Sequence, residues 1–295
     1  MKVLITGAGG QLGTALIEAA PNGCELHAVT HRDLDIADTA AVESLCERLT
    51  PTLVMNAAAF TNVDAAEALP EAAARANAVG PAVLARTCRR SGAWLVHVST
   101  DYVFGGRSTR PCSPTSLPQP LNVYGTTKLE GERAVAITNA AASTIVRTSW
   151  LYAPHGQNFL SRMLELMTKR DEISVVSDQI GAPTAAEGLA QVLWEMGTRR
   201  IAGLFHWCDS GVASRYDFAV AIAEEALAIG LLRSMPRIVP VGSGDYPAAA
   251  RRPHSSLLDT RSTEAALQMR ARNWRTQLRA TLAALQAKAR QEAPA

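Results

Sequence analysis

A chain of 295 residues, 47% hydrophobic and 19% charged, has the length for one large α/β domain or for one domain plus a smaller lobe, and the composition of a globular protein. Its net charge of +2, on scattered basic residues with few aromatics, carries no sign of a nucleic-acid partner, and no stretch approaches the ~18 uninterrupted apolar residues of a membrane span. The five cysteines form no C-x-x-C pair and the six histidines no ligand pattern, so no metal is expected and a reducing, cytoplasmic setting fits best.

The apolar run at 2–6 reads as a strand, and it leads at once into Thr6-Gly7-Ala8-Gly9-Gly10-Gln11-Leu12-Gly13. The frame Gly7-x-x-Gly10-x-x-Gly13 has a use for each glycine. Gly7 permits the sharp turn, Gly10 lets the backbone approach a pyrophosphate, and Gly13 lets the following helix pack close to the strand. That helix, expected over about 11–20, would present its free N–H groups to the phosphates. A glycine triplet alone is weak evidence, but this one closes an N-terminal strand and opens a helix, which points to a dinucleotide.

The second strand is expected at 25–29. Beyond it come Thr30-His31-Arg32-Asp33, where Arg32 would pair with a ribose 2′-phosphate, favouring NADPH and leaving NADH possible. Asp35 and Ile36 suit a contact near the adenine. A helix over 38–49, with Asp38 as its N-cap and Pro51 after its end, leads to a strand at 52–56. The small residues Ala57, Ala58 and Ala59, with Phe60 and Thr61, would let a cofactor lie against that strand's end. A helix over 70–91, a strand at 94–99, a helix over 123–138 and a strand at 144–147 continue the alternation. The Pro-rich stretch 105–120 between the fourth strand and its helix is a long loop of the kind that often carries function.

Near-continuous apolar strands alternating with helices predict a Rossmann-type α/β fold, a doubly wound parallel sheet. Residues 1–150 are read as its dinucleotide-binding domain, with about 200–230 returning to it. The less regular region 151–295 is read as mainly a smaller C-terminal substrate-binding lobe. Helices are expected there near 157–169, 185–196, 214–229 and 274–289, and strands near 173–176, 203–207 and 237–241.

The fourth strand ends in Ser99-Thr100-Asp101, and the next helix begins Tyr124-Gly125-Thr126-Thr127-Lys128. Tyr124 and Lys128, four apart, share one helix face. A phenol with an ordinary pKa near ~10 holds its proton too tightly for easy exchange, and a neighbouring ammonium is expected to favour the phenolate. Tyr124 would then protonate the oxyanion formed as hydride reaches a carbonyl, with the Thr100 hydroxyl polarising that carbonyl and Lys128 holding a nicotinamide ribose. Trp150 follows a strand end and offers an apolar face and one N–H donor. Arg251 and Arg252 would suit the phosphates of a nucleotide.

In these residues the chain resembles the extended short-chain dehydrogenase/reductase superfamily and, within it, the dTDP-4-dehydrorhamnose reductases. The resemblance rests on residues 7–13, 56–59, 63–67, 98–104, 120–128, 147–152, 158–159 and 178–184, and it thins past 210. It implies hydride transfer from NADPH or NADH to C4 of a dTDP-linked 4-keto-6-deoxy sugar. It also implies that Thr100, Tyr124 and Lys128 are the catalytic set. Gly10, Gln11, Leu12, Asp35, Ile36, Ala59, Phe60 and Thr61 fall at cofactor positions, and Thr100, Asp101, Tyr124 and Trp150 at sugar positions. Some relatives are dimers bridged by Mg²⁺ on glutamates. Here Ala15 stands at one such place and Glu187 at another, and a lone carboxylate makes a poor magnesium site. A monomer or a homodimer is therefore expected without that metal. Two other readings remain open at this level: a different sugar-nucleotide 4-ketoreductase, and a non-catalytic regulatory subunit of the same fold.

Overall fold

The computed structural model describes residues 1–292. Its first half runs β1 (Lys2–Thr6), α1 (Gln11–Glu18), β2 (Glu25–Val29), α2 (Thr39–Leu49), β3 (Leu53–Asn56), α3 (Val63–Ala68), α4 (Pro70–Ala74), a π turn (Arg75–Val79), α5 (Gly80–Ser91), β4 (Trp94–Thr100), α6 (Val123–Asn139) and β5 (Ser143–Thr148). There follow β6 (Leu151–Tyr152), α7 (Phe159–Lys169), β7 (Glu172–Val176), β8 (Ile180–Gly181), β9 (Thr184–Ala185), α8 (Ala186–Thr198) and β10 (Gly203–His206). The chain ends with β11 (Ala213–Ser214), α9 (Arg215–Ala228), β12 (Arg237–Val241), α10 (Arg261–Leu267) and α11 (Trp274–Glu292).

Six strands form one parallel sheet in the order β10-β5-β4-β3-β1-β2. The apolar runs of β3 and β5 are buried along their whole length, as strands covered on both faces must be. One face packs on α1 and α8 through Leu16, Leu193 and Trp194, whose indole N–H donates to the Leu16 carbonyl at 2.8 Å. The other packs on α2, α5 and α6 through Val42, Leu84 and Val135. From β1 the chain crosses to β2 on one side and then to β3 on the other. The crevice at that reversal is where such sheets bind ligands. A separate core around Tyr152, Phe218, Trp274 and Leu278 holds the C-terminal elements together, and β7 and β12 pair in parallel at its edge.

The expected helix over 70–91 is divided. Its middle is the π turn, with the Gly80 N–H reaching back to the Arg75 carbonyl. Pro81 lacks an N–H and so leaves the preceding turn free to widen. A Cβ on Gly80 would lie 2.5 Å from the Ile36 side chain, so the widened turn sits close against Ile36. The helix α3, capped by Asn62, and the two-residue strands β6, β8, β9 and β11 were not foreseen, being too short to show a period. Among the described residues no helix is long and apolar enough to cross a membrane.

Candidate active site

A cavity of about 1860 Å³ opens along the carboxyl edge of the sheet. Typical small-molecule sites hold roughly 300–1,000 Å³, so this one has room for two large ligands. One end is walled by the glycine loop and the ends of β2 and β3, the other by Trp150, Phe159, the end of β7, the turn after β12 and the loop around Arg251.

The glycines fit their expected uses. Gly7 has φ +74°, and a Cβ there would lie 2.5 Å from the Ala58 backbone nitrogen. A Cβ on Gly13 would lie 2.1 Å from the Gly7 carbonyl oxygen. Gly10 differs, because its Cβ would meet only that same oxygen at 3.3 Å and otherwise open space. Gly10 caps α1 without any side-chain bond, so the first N–H groups of the helix are left for a ligand. Beside them the Gln11 Oε1 is buried and has no partner among the described residues. A cradle with space over Gly10 and unused donors is what a dinucleotide's pyrophosphate needs.

Thr30, His31, Leu34, Asp35 and Ile36 line the next stretch, as do Ala57, Ala58, Ala59, Phe60 and Thr61. Arg32 is exposed outside this wall, in a turn closed by Asp33 accepting from the Thr30 backbone N–H and hydroxyl. The cation on the wall is instead Arg75, whose Nε and Nη2 both donate to Asp35 Oδ2, at 2.9 and 2.8 Å. Asn77, buried in the π turn, clamps the Phe60 peptide. Its Oδ1 accepts from the Phe60 N–H at 2.8 Å, and its Nδ2 donates to the Phe60 carbonyl and the Thr127 hydroxyl. Neither Arg75 nor Asn77 was singled out from sequence. The Gly80-Pro81 pair inside a helical run was the available signal.

Thr100, Asp101, Tyr124 and Lys128 meet at the middle of the cavity. Thr100 ends β4, and its hydroxyl donates to Asp101 Oδ1 at 3.1 Å and also bonds the Tyr124 phenol. Asn122 caps α6 by accepting from the Gly125 N–H at 2.8 Å. The cap starts the helix where Tyr124 faces the cavity, its ring edge-on to Tyr102. A Cβ on Gly125 would lie 2.2 Å from the Tyr102 carbonyl oxygen, so only glycine lets the helix approach this closely.

Lys128 donates to the Val98 carbonyl at 2.6 Å. Burial brings its pKa down to about 8, against an upward pull from Glu132 one turn on. Burial likewise pushes the Tyr124 phenol above its ordinary value, aided by Asp101 and Tyr102 and opposed by the Thr100 bond. This corrects the expectation that Lys128 lowers the phenol. Here desolvation outweighs the ammonium, which is tied to a backbone carbonyl. Asp101, 2% exposed, has its pKa raised by burial to about 6, against bonds from Ser256 and Thr100 and the attraction of Arg215. Its Oδ2 has no partner among the described residues.

Trp150 also lines the cavity, in the left-handed backbone region at φ +45°. Arg251 is exposed at the mouth, and Arg252 is held by Asp64, donating through Nη1 and Nη2 at 3.1 and 2.5 Å.

The family described as the RmlD substrate binding domain matches residues 1–287. The dTDP-4-dehydrorhamnose reductase of Aggregatibacter actinomycetemcomitans is 38% identical over 286 residues, spanning 94% of this chain and 97% of that protein. The chain belongs to the dTDP-4-dehydrorhamnose reductase family. Solved reductases of the family have the same fold. That of Clostridium acetobutylicum superposes with a TM-score of 0.91 at 36% identity, covering 97% of this chain and 100% of that one. That of Bacillus anthracis, solved in complex with NADP, also gives 0.91, at 32% identity, covering 96% and 99%. In this member of the family, Ala15 is buried in α1 and Glu187 lies in the first turn of α8. Among the described residues no group of three or more His, Cys, Asp or Glu could hold a metal ion.

Proposed function

We propose that this chain reduces the C4 keto group of dTDP-4-dehydro-β-L-rhamnose to give dTDP-L-rhamnose, with NADPH as the reductant. The observation that carries the reading is the meeting of Thr100, Tyr124 and Lys128 midway along one cavity. One end of that cavity is a phosphate cradle and the other a wall suited to a sugar nucleotide.

NADPH, when bound, supplies the hydride. Gly7, Gly10, Gln11, Leu12 and Gly13 would hold its pyrophosphate, the last by packing rather than contact. Asp35, Ile36 and residues 57–61 would face its adenosine and nicotinamide halves, and Arg75, in place of Arg32, is the cation beside the adenosine. Tyr124 is protonated at neutral pH, as an ordinary phenol already is, and burial tightens its hold further, so the proton leaves only as negative charge grows on the C4 oxygen. Thr100 has a single hydroxyl hydrogen, which can turn from Asp101 toward Tyr124 or the substrate oxygen. Lys128, an ammonium below about pH 8, adds positive charge where the oxyanion forms. Asp101, ionised above about pH 6 and with Oδ2 free, accepts from a sugar hydroxyl.

The test is to follow nicotinamide absorbance with purified protein, NADPH and dTDP-4-dehydrorhamnose. Oxidation of NADPH with dTDP-L-rhamnose as product is expected, and no oxidation would reject the reading. The same assay across pH should give a bell in kcat/KM. Its acid limb lies near 6, where Asp101 gains a proton, and its alkaline limb near 8, where Lys128 loses one. Asp101→Asn should remove the acid limb.

The two inner glycines should separate stability from binding. Gly13→Ala drives a methyl group into backbone and is expected to lower the melting temperature and abolish NADPH binding together. Gly10→Ala meets little protein. It should melt close to the parent while binding NADPH roughly tenfold more weakly or worse, because the methyl group holds the pyrophosphate off the amide donors. Differential scanning fluorimetry and nucleotide fluorescence titration read the two effects.

A further inference from the structure

Arg215 is the first residue of α9, placed there by a capping box in which Ser214 and Asp217 bond reciprocally. Its guanidinium carbon lies 3.7 Å from the centroid of a Trp150 ring and 5.1 Å from that of Phe159. The side chain lines the cavity, bonds the Tyr102 hydroxyl and is attracted to Asp101. It forms no ion pair among the described residues. A guanidinium carries five N–H donors, so one phenol leaves most of them unused. The half-buried guanidinium faces the cavity, where an incoming ligand rather than a carboxylate of the protein can meet those donors. Aromatic faces stabilise its charge but leave the in-plane N–H groups free.

Trp150 is fixed by the same elements. Its backbone is in the left-handed region, where a large side chain is rarely found, and its carbonyl accepts from the Thr184 N–H at 3.2 Å. A Cβ on Gly181 would lie 2.5 Å from the indole Cε2 and 2.8 Å from both Cζ2 and Nε1, so only glycine leaves room for the ring. The indole is thus bounded by Gly181 of β8 and by Arg215, on elements joined through the β8–β11 pairing.

Building on the reading above, we propose that Arg215 binds the sugar half of the substrate. It holds the Trp150 indole by stacking and donates its unused N–H groups to oxygens of the hexose beside Asp101. Its neighbours on both sides belong to the sugar end of the cavity, so its effect is on the hexose and not on the nucleotide.

The test measures binding of dTDP-L-rhamnose and of dTDP alone by calorimetry, with NADPH affinity and melting temperature alongside. Arg215→Met should weaken dTDP-L-rhamnose by about tenfold to a hundredfold, the range expected for lost charged hydrogen bonds. The affinities for dTDP and NADPH should stay within about twofold of the parent. Arg215→Lys keeps the charge but loses the plane, and it should recover only part of the loss. Gly181→Ala, which crowds the indole toward Arg215 and so disturbs the stack, should also show a sugar-dependent loss, and Arg215→Lys stands as the test if Arg215→Met fails to fold. Equal weakening of dTDP and dTDP-L-rhamnose would overturn the proposal in favour of a diphosphate contact. Unchanged dTDP-L-rhamnose affinity would overturn it outright. If the parent protein itself bound dTDP no more weakly than dTDP-L-rhamnose and left dTDP-4-dehydrorhamnose unreduced, the functional reading would fail instead.

Discussion

Tyr124→Phe is expected to lower kcat by about 10²–10⁴-fold, the usual range for a positioned general acid, while the protein stays folded and binds NADPH as before. The expectation follows from how little else the hydroxyl does. The ring packs edge-on against Tyr102 at 5.9 Å, and phenylalanine keeps that contact. Only the bond to Thr100 and the transferable proton are lost. Thr100 already bonds Asp101 and the Tyr102 N–H, so its hydroxyl is not left unpartnered. Single-turnover kinetics with saturating NADPH would separate the chemical step from binding, and nucleotide fluorescence would check the latter. A variant that kept more than about a tenth of kcat would place the proton elsewhere, with Asp101 the first candidate because its pKa of about 6 lies near neutrality. A large rise in KM at unchanged kcat would instead make Tyr124 a binding residue.

The parts of this site legible in sequence are those whose chemistry is local. The glycine loop needs residues at fixed spacing between one strand and one helix, and Tyr124 and Lys128 are one helical turn apart. Burial was not legible. Nothing in Tyr-x-x-x-Lys says that the phenol is desolvated or that Lys128 is tied to the Val98 carbonyl, so the spacing alone points to a lowered phenol where the structure raises it. Arg75 and Asn77 were hidden because a run of alanines reads as continuous helix, whereas the widened turn before Pro81 turns these two side chains toward Asp35 and Phe60. Arg215 was hidden for a third reason. Its partners Trp150, Phe159 and Tyr102 lie 56 to 113 positions away and meet it only through the packing of the C-terminal lobe. The sheet was easier, since fully buried parallel strands advertise themselves as apolar runs, while two-residue pairings such as β8–β11 carry no pattern.

The buried pair Glu132–Arg147 should show the largest stability effect in the chain. Arg147, on β5, donates through Nε and Nη2 to the two carboxylate oxygens of Glu132 at 2.8 and 2.6 Å, with side chains 2% and 5% exposed. The guanidinium also lies 5.1 Å from the Phe104 ring centroid, and its Nη1 faces His206 Nε2 at 3.4 Å. His206 donates from Nδ1 to the Cys112 carbonyl, and burial and Arg147 take its pKa down to about 3, so it stays neutral and cannot replace the carboxylate. Glu132→Gln therefore strands a buried cation and is expected to cost about 3–5 kcal/mol in urea denaturation, a large part of the ~5–15 kcal/mol that holds a typical domain. Removing both charges with Glu132→Met and Arg147→Met should recover most of that loss, because an apolar pair of similar volume avoids the desolvation of two ions. The pair's use then lies in Lys128, whose pKa Glu132 pulls upward from one helical turn away. In the double variant that pull is gone. The ammonium should lose its proton at lower pH, and the alkaline limb of kcat/KM should move below about 8 although the protein is stable. A stable double variant with an unmoved limb would mean that the pair serves only the packing of α6 against β5.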